Sequence, residues 1–506
     1  TDYDSVSAPS DLAIHENNAL RNGIPSSSDH EAEVMNIDDA IESSPIGLFH
    51  YRLLFICGLA YMADAIEISL LSFIVVLITE EWSLSVIETS SIAATVFAGS
   101  MVGNVFLWGP LGDAWGRRKT FIAGSSLVCL AGLSCALAPN IGVLLFCNFF
   151  VGIGVGCVFI SLDLLAELLP CEWRGLFLMN INYFWTLGSM FVASMAWTLL
   201  DAYGWRILIV SAALPAVLTV MLSVFYLPES PRWLMLQGRT GEANAVLNEV
   251  NRVNRYGSNN SVKHIVFNLT PLTPAELEEH SGGHGCSAYF DLIAPKYRRV
   301  TVLLGILSLS WGLTYNGTVM FLSSMFAASD DDSIAISTNS TLLNDFYGND
   351  DAVAATSFQY GDILTVASSE LIGIFMTSML LDRIGRRWTQ SLMYANGFLS
   401  CMCLAFSTQG PTSTTVVFLS AWARISIIGA SGATVVTTPE LYPTEVRVPG
   451  HVVAATMSRV GTVICPYIAQ NKYLGVRVVG IVFGLFNLCS VFFALSLPET
   501  MGHSVD

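Results

Sequence analysis

The sequence predicts an all-α membrane protein: twelve transmembrane helices in two six-helix, pseudo-symmetric halves. Three observations carry this reading. Of 506 residues, 53% are apolar and only 12% charged, with a mean hydropathy of +0.57, where a soluble domain carries about 25% charge. Apolar runs of the roughly 20 residues that a bilayer core demands recur twelve times, near 51–79, 88–111, 119–138, 141–168, 175–200, 205–227, 298–327, 358–381, 388–408, 411–438, 449–474 and 476–497. An internal repeat relates the first six runs to the last six.

The same composition excludes other classes. With 23 Lys+Arg against 40 Asp+Glu the formal charge is −17, which repels a phosphate backbone, so no nucleic-acid partner is expected. Most of the 11 cysteines, including Cys57, Cys129, Cys147 and Cys465, sit in apolar runs as small hydrophobes rather than as a disulfide framework. Cys401-Met-Cys403 is too closely spaced and too apolar in context for zinc, so no metal or other cofactor is expected. No span offers a nucleophile and base, no phosphate-binding glycine loop precedes a lysine, and Gly152-Ile-Gly154-Val-Gly156 reads as small-residue packing. An enzyme is not predicted.

Basic residues orient the spans, because Lys and Arg are retained in cytoplasmic loops. With the N-terminus inside, 18 of the 23 fall in cytoplasmic segments. Both termini are then cytoplasmic. The expected organisation is an acidic, disordered tail over 1–45, a first half over 46–228, a cytoplasmic central loop over 229–297, a second half over 298–498 and a short cytoplasmic tail over 499–506. The outer loop 328–357 holds six aspartates, no basic residue and the triplet Asn339-Ser340-Thr341, a glycosylation acceptor if the loop is luminal.

The repeat is written in the loops. Asp113-Ala-Trp-Gly116-Arg117-Arg118 returns as Asp382-Arg-Ile-Gly385-Arg386-Arg387, Glu167-Leu-Leu-Pro170-Cys-Glu172-Trp-Arg174 as Glu440-Leu-Tyr-Pro443-Thr-Glu445-Val-Arg447, and Leu227-Pro228-Glu229-Ser230 as Leu497-Pro498-Glu499-Thr500. The offsets are 269, 273 and 270 residues. Like-oriented halves related by an axis along the membrane normal are an architecture of secondary transporters, with the substrate site at the midplane between them. Gly112 and Gly116 allow a tight turn, Asp113 accepts hydrogen bonds at a helix start, and the arginines reach carboxylates such as Glu167 and Glu172. Asp113, Arg117, Arg118, Asp163, Glu167 and Arg174, with Asp382, Arg386, Arg387, Glu440 and Arg447, are therefore candidates for a cytoplasmic gate that latches the halves when the cavity opens outward. The alternative is that the arginine pairs only enforce topology.

Gly109-Pro-Leu-Gly112-Asp113-Ala-Trp-Gly116-Arg117-Arg118-Lys119 and its counterpart in the second half resemble the signature of the major facilitator superfamily. Pro228-Glu229-Ser230-Pro231-Arg232-Trp233-Leu234 and Pro498-Glu499-Thr500 are similar to its sugar-porter-like clan. The glutamine pair of sugar porters is replaced in the seventh span by Leu309-Ser-Trp311-Gly-Leu-Thr-Tyr315-Asn316-Gly317, which speaks against hexose binding. Gly58-Leu-Ala-Tyr61-Met62-Ala-Asp64-Ala65-Ile-Glu67 in the first span and Asn36-Ile-Asp-Asp39-Ala40-Ile41-Glu42 before it resemble the synaptic vesicle glycoprotein and related-protein branch, among organic ion and nicotinate carriers. The resemblance implies the superfamily fold and a carrier working by alternating access.

An ionisable group at membrane depth costs a few kcal/mol at least, so it faces a cavity and has a partner. Asp64 and Glu67 stand three residues apart in the first span, on one helix face; Glu370 lies midway along the eighth, and Asp163 near the cytoplasmic end of the fourth. Arg424 and Arg459 lie in the tenth and eleventh. No histidine lies mid-span, so Asp64, Glu67 and Glu370 are the candidates for proton coupling. Arg459 offers a planar fork suited to a carboxylate. In the organic ion relatives that position is acidic in cation carriers and arginine in anion carriers, so the resemblance implies an organic anion. Alternatively Arg459 neutralises Asp64 or Glu370 in a static pair. Arg424 reads as structural, and Asp163 as a partner for Arg118.

Tyr61, Trp185, Trp311, Tyr315 and Trp422 fall within spans rather than at the interfacial belts, and Asn316 adds a polar group. Aromatic walls with a few placed polar groups suit a flat organic solute. The expected function is proton-coupled transport of a small organic anion, an aromatic monocarboxylate resembling nicotinate, by a monomer in the plasma membrane or a vesicle membrane. The competing readings are a membrane receptor or scaffold and a uniporter of a neutral solute such as a sugar.

Overall fold

The computed structural model describes residues 33–255, 267–271, 291–328, 357–407, 413–442, 444–471 and 474–499. Lipid offers no hydrogen-bond partner to the backbone, so apolar runs must satisfy their own peptide groups as helices. The helices follow the twelve predicted runs. In the first half they are α2 (Leu48–Glu81), α3 (Val86–Val102) continued by a π-helical turn into α4 (Gly109–Trp115), α5 (Arg117–Cys135), α6 (Ile141–Val155) with α7 (Val158–Glu167), α8 (Cys171–Ala212) and α9 (Leu214–Tyr226). In the second half they are α12 (Arg298–Met325), α13 (Tyr360–Ser368) with α14 (Glu370–Ile384), α15 (Arg386–Ser407), α16 (Ser413–Glu440), α17 (Thr444–Ala469) and α18 (Val476–Leu495).

Nine helical stretches among the described residues are long and apolar enough to cross a membrane. One of them, Cys171–Tyr226, bends back at Gly204, where φ is 76°, and so supplies two of the predicted runs. Arg117–Cys135 and Arg386–Ser407 are less apolar because each opens on an arginine pair; they fill the third and ninth. Starts are fixed by local chemistry. Ser85 and Glu88 form a reciprocal capping box ahead of α3, and the Asn140 side chain caps α6. Gly152 permits a close crossing of α6 on α3, since a Cβ there would lie 1.9 Å from the Val96 carbonyl oxygen.

The halves meet along α2 with α12, α3 with α17 and α8 with α13. We call the end of the bundle that carries Arg117 and Arg386 the basic end. At the opposite end the halves are tied by Tyr360 donating to Asp201 (2.6 Å), by Ser90 donating to the Pro466 carbonyl (3.4 Å) and by Phe73 against Phe358, centroids 5.2 Å apart.

The expectation of a disordered tail through residue 45 is corrected for residues 33–45. β1 (Glu33–Met35) pairs in parallel with β2 (Phe267–Leu269), and α1 (Ile37–Glu42) buries Ile37, Ala40 and Ile41. They join Trp233, Leu234 and Met235 of α10 (Pro231–Leu236) and Ala243 and Leu247 of α11 (Thr240–Arg255) in one small apolar cluster. The tail thus completes a small core with the central-loop helices, while Val250 of α11 is buried with Phe49 and Leu53 of the bundle. A second small strand pair, β3 (Ala327–Ala328) with β4 (Ser357–Phe358), is antiparallel.

Candidate functional site

Among the described residues, two buried ion pairs occupy the interior. Arg459 of α17 holds Asp64 of α2, Nη2 to Oδ2 3.0 Å, with side chains 9% and 5% exposed. This pair bridges the two halves. Arg424 of α16 holds Glu370 of α14, Nη2 to Oε1 2.9 Å, with side chains 5% and 0% exposed. Glu370 also accepts from the Tyr315 hydroxyl (2.8 Å) and, across the half boundary, from Thr186 (3.1 Å). With three donors its charge is fully answered.

An aromatic chain links the pairs. Tyr61 packs on Trp185 (centroids 5.1 Å) and Trp185 on Tyr315 (5.7 Å), while Trp185 Nε1 donates to the Tyr315 hydroxyl (2.5 Å). Arg424 stands over the Tyr315 ring at 5.4 Å, and Tyr61 lies within electrostatic reach of both Asp64 and Arg459. The structure therefore gathers Tyr61, Asp64, Trp185, Tyr315, Glu370, Arg424 and Arg459. It does not gather Trp311 and Trp422 in the same way: both are half-buried against the large apolar cluster, with no ring contact or side-chain hydrogen bond to the pairs among the described residues. Asn316 is buried and donates to the Gly312 carbonyl (2.8 Å), with no partner for Oδ1 among the described residues.

Asp64 and Glu67 share a helix face and lie within electrostatic reach of one another, but their side chains meet different surroundings. Asp64 is drawn to α17, whereas Glu67 lines a cavity of about 40 Å³ inside the first half, beside Cys135 and Asn148. Among the described residues Glu67 has no ion pair.

At the basic end Arg117 pairs with Asp113 (2.6 Å) and Glu167 (3.5 Å), and Arg386 with Glu440 (3.0 Å). Each bond stays within its own half. The expected bridge from the arginine pair to Glu167 is present, and in this conformation, with the halves tied at the opposite end, these arginines brace their own bundles; the latch was expected when the cavity opens outward. The suggested Arg118–Asp163 pair is corrected. Arg118 donates to the Val224 carbonyl (2.8 Å), and the arginine that acts electrostatically on Asp163 is Arg117. Arg174 donates to the Leu169 carbonyl (3.2 Å) rather than to a carboxylate. Asp382 forms no ion pair among the described residues, and Arg387 is held through its backbone. The Arg447 side chain and Asn339 lie outside the described residues.

Two carboxylates that the sequence analysis named only within the repeat have a structural role. Glu229 accepts from the Arg118 backbone N–H (3.0 Å), and Glu499 from those of Arg386 (2.8 Å) and Arg387 (3.2 Å), so each caps the helix that opens on an arginine pair. Gly116 and Gly385, φ 97° and 87°, make the turn that brings the carboxylate in, and a Cβ on either would strike it. The repeated Pro-Glu pair was the available signal, since it recurs in register with the arginine motif.

Residues 48–506 match the family model described as sugar (and other) transporter. The chain belongs to that family, within the major facilitator superfamily. Members similar to it include the synaptic vesicle 2-related protein of Bos taurus, 31% identical over 86% of this chain and 75% of that one, and organic cation/carnitine transporter 7 of Arabidopsis thaliana, 29% identical over 87% and 89%. The niacin transporter NiaP of Acinetobacter baylyi is 26% identical over 93% and 99%. Among solved structures, the proton:xylose symporter XylE bound to 6-bromo-6-deoxy-D-glucose superposes with a TM-score of 0.67 at 17% identity, covering 90% of this chain and 98% of that one. As a family member the chain is a multi-pass membrane transporter and not an enzyme.

Proposed function

We propose that this transporter carries a small organic anion of the aromatic monocarboxylate type together with protons, by alternating access. The observation that carries the reading is the Asp64–Arg459 pair, a buried acid and base on opposite halves, 3.0 Å apart. A buried guanidinium left without an anion is strongly unfavourable, about 3–5 kcal/mol when its partner is removed. Arg459 therefore needs either ionised Asp64 or a substitute. Protonating Asp64 removes its charge and frees the guanidinium for a substrate carboxylate; when the substrate leaves, Asp64 gives up the proton and the pair re-forms. Proton and anion then travel together because Arg459 holds only one anion at a time.

The remaining groups take supporting roles. Tyr61, Trp185 and Tyr315 form the aromatic wall against which a flat solute stacks. Glu67, facing its own cavity, is the second proton-exchanging carboxylate. Glu370, saturated by three donors, is the counter-ion of Arg424 instead of the third proton carrier expected from the sequence. The reading places the basic end and both termini in the cytoplasm, with Asn339 on the luminal or outer side, in a vesicle or surface membrane. The relative named for niacin, a carboxylate-bearing solute, supports the substrate class, whereas the one named for organic cations and carnitine supports an organic ion of either sign.

The test is thermal stabilisation of the purified protein across organic anions, organic cations, sugars and nucleosides at acid and neutral pH, since a ligand of the folded state raises the melting temperature. Stabilisation by aromatic carboxylates, stronger at acid pH and lost in Arg459→Ala, is expected. Stabilisation by cations or sugars alone would overturn the anion assignment, and silence across the panel would favour a receptor or scaffold.

A further inference from the structure

Asp64 and Glu67 each line a cavity, and the two cavities adjoin. Glu67 lines the larger, about 40 Å³, with Cys135 of α5 and Asn148 of α6. Asp64 lines the smaller, about 20 Å³, with Ser125 of α5 and Thr219 of α9. Ala63, Val128 and Ala216 are walls of both, so side chains of α2, α5 and α9 frame a single junction. The larger has room for about three waters and the smaller for about one. Every residue lining either cavity belongs to the first half, whereas Arg459 reaches Asp64 from the second.

Water in such a space needs polar partners, and both cavities supply them. Asn148 Oδ1 accepts from the Cys135 thiol (3.2 Å) while Nδ2 donates to the Ile92 carbonyl (3.3 Å), which leaves a lone pair of Oδ1 for a water beside Glu67. Thr219 donates to the Pro215 carbonyl (2.8 Å) and keeps its lone pairs for a water beside Asp64. Asp64 meets Arg459 through Oδ2, and Oδ1 has no hydrogen-bond donor among the described residues. Residues at i and i+3 of a helix stand about 5–6 Å apart at Cβ, a gap that one or two waters span. The other titratable groups here are thiols, Cys135 with Cys147 next to it, and Cys157; Arg459 and Tyr61 lie beside Asp64. Helices α8 and α9 present only alkyl groups and the Thr219 hydroxyl.

Charge decides the resting state. Arg459 is answered by Asp64, and Glu67 has no ion pair among the described residues. A carboxylate without a cation in an apolar cavity is costly, so such a group keeps its proton. We infer that Glu67 feeds protons to Asp64 through water in the two adjoining cavities, so that the proton travels inside the first half while the substrate travels between the halves. The Glu67 O–H bond breaks as a water takes the proton. That water passes one of its own protons to Asp64 Oδ1, and the new O–H bond ends the charge pair with Arg459. Glu67, left ionised, takes a replacement proton from the gradient. With the substrate carboxylate on Arg459 both acids are then neutral and no charge is left unanswered. One proton therefore accompanies each monocarboxylate, and the cycle moves no net charge. Asn148 and Thr219 are positioning residues for the water. This inference rests on the anion-carrier reading above and names the route of its proton.

The experiment uses purified full-length protein in proteoliposomes and labelled benzoate or nicotinate, read two ways: uptake driven by a proton gradient, and exchange of labelled for unlabelled anion at equal pH. Glu67→Gln is expected to slow gradient-driven uptake about a hundredfold, the low end of what a positioned proton-transfer group contributes, with Glu67→Asp recovering part of the rate. Ala63→Val and Ala216→Val narrow the junction without altering a polar group; each is expected to slow driven uptake and to leave exchange at the natural rate. Natural rates of driven uptake in Glu67→Gln, or in both wall variants, would overturn the route and leave the carrier reading standing. Equal slowing of uptake and exchange in the wall variants would mark a packing effect and overturn it as well. Absence of gradient-driven uptake in the natural chain would overturn the carrier reading and this inference together. Because the wall variants keep both carboxyls, they decide the matter if Glu67→Gln does not fold.

Discussion

At the residue scale, the interior holds two acid–base pairs that look alike and are wired differently. Arg424–Glu370 lies within the second half and is over-determined, with Tyr315 and Thr186 also donating to the acid. Arg459–Asp64 spans the halves; apart from Arg459, no side-chain donor to Asp64 is found among the described residues. Removing one partner of a buried pair leaves a stranded charge and costs about 3–5 kcal/mol, whereas replacing both with apolar residues is often near neutral. Glu370→Leu is therefore expected to destabilise the protein by about that amount, and Glu370→Leu with Arg424→Leu to recover most of it, as read by denaturation of the purified protein. A double variant as unstable as the single would contradict the counter-ion role. The sequence exposed all four charges, because each stands where lipid should be. It left open which acid meets which base, since helix neighbours are not written in one chain's hydropathy. Thr186 was silent because hydroxyls are unremarkable in membrane helices.

Helices of the membrane bundle were legible nearly to their ends, since apolar run length alone sets them. The small docked module at the basic end was not. Its pieces are short and polar, and α1 becomes apolar-faced only once α10 and α11 are beside it. Among the described residues several contacts fasten it to the bundle, Trp233 Nε1 donating to the Asp113 carbonyl (2.8 Å) among them. Asn254 of α11 accepts from the Phe49 N–H (2.9 Å) and donates to the Pro45 carbonyl (2.7 Å) at the entry to α2. Glu42 accepts from the backbone N–H of Cys171 at the start of α8 (2.9 Å). Hydrogen bonds from Cys171, thiol first and backbone N–H next, hold the Glu42 carboxyl below its ordinary value. A carboxyl depressed by folding contributes above the ordinary carboxylate range and loses that contribution as pH falls through its folded value. Hydrogen exchange over residues 37–42, corrected for intrinsic rates, is thus expected to quicken as pH falls through that range. In Glu42→Gln it should be fast already and insensitive to pH; pH-independent protection in the natural protein would contradict the contact.

Across the whole molecule, the duplication explains both what the sequence disclosed and what it left open. Three loop motifs in one register revealed two halves, and the same symmetry suggested that repeated charges face each other across the interface. With the halves tied at the end away from the basic loops, these charges pair within each half: Arg117–Glu167 and Arg386–Glu440 are equivalent braces inside equivalent bundles. The bonds between halves come from residues outside the repeat, foremost Asp64 and Arg459. A symmetric scaffold thus carries an asymmetric seam, and in the proposed cycle the seam is where a proton changes the structure.

The most direct test is uptake of labelled nicotinate or benzoate into proteoliposomes holding the purified protein, with and without an imposed proton gradient, for the natural chain and for Asp64→Asn. Proton–anion exchange at Arg459 predicts accumulation that collapses when the gradient is dissipated; Asp64→Asn should lose accumulation while still exchanging substrate across the membrane. Equal accumulation with and without the gradient, or gradient-driven accumulation in Asp64→Asn, would contradict it.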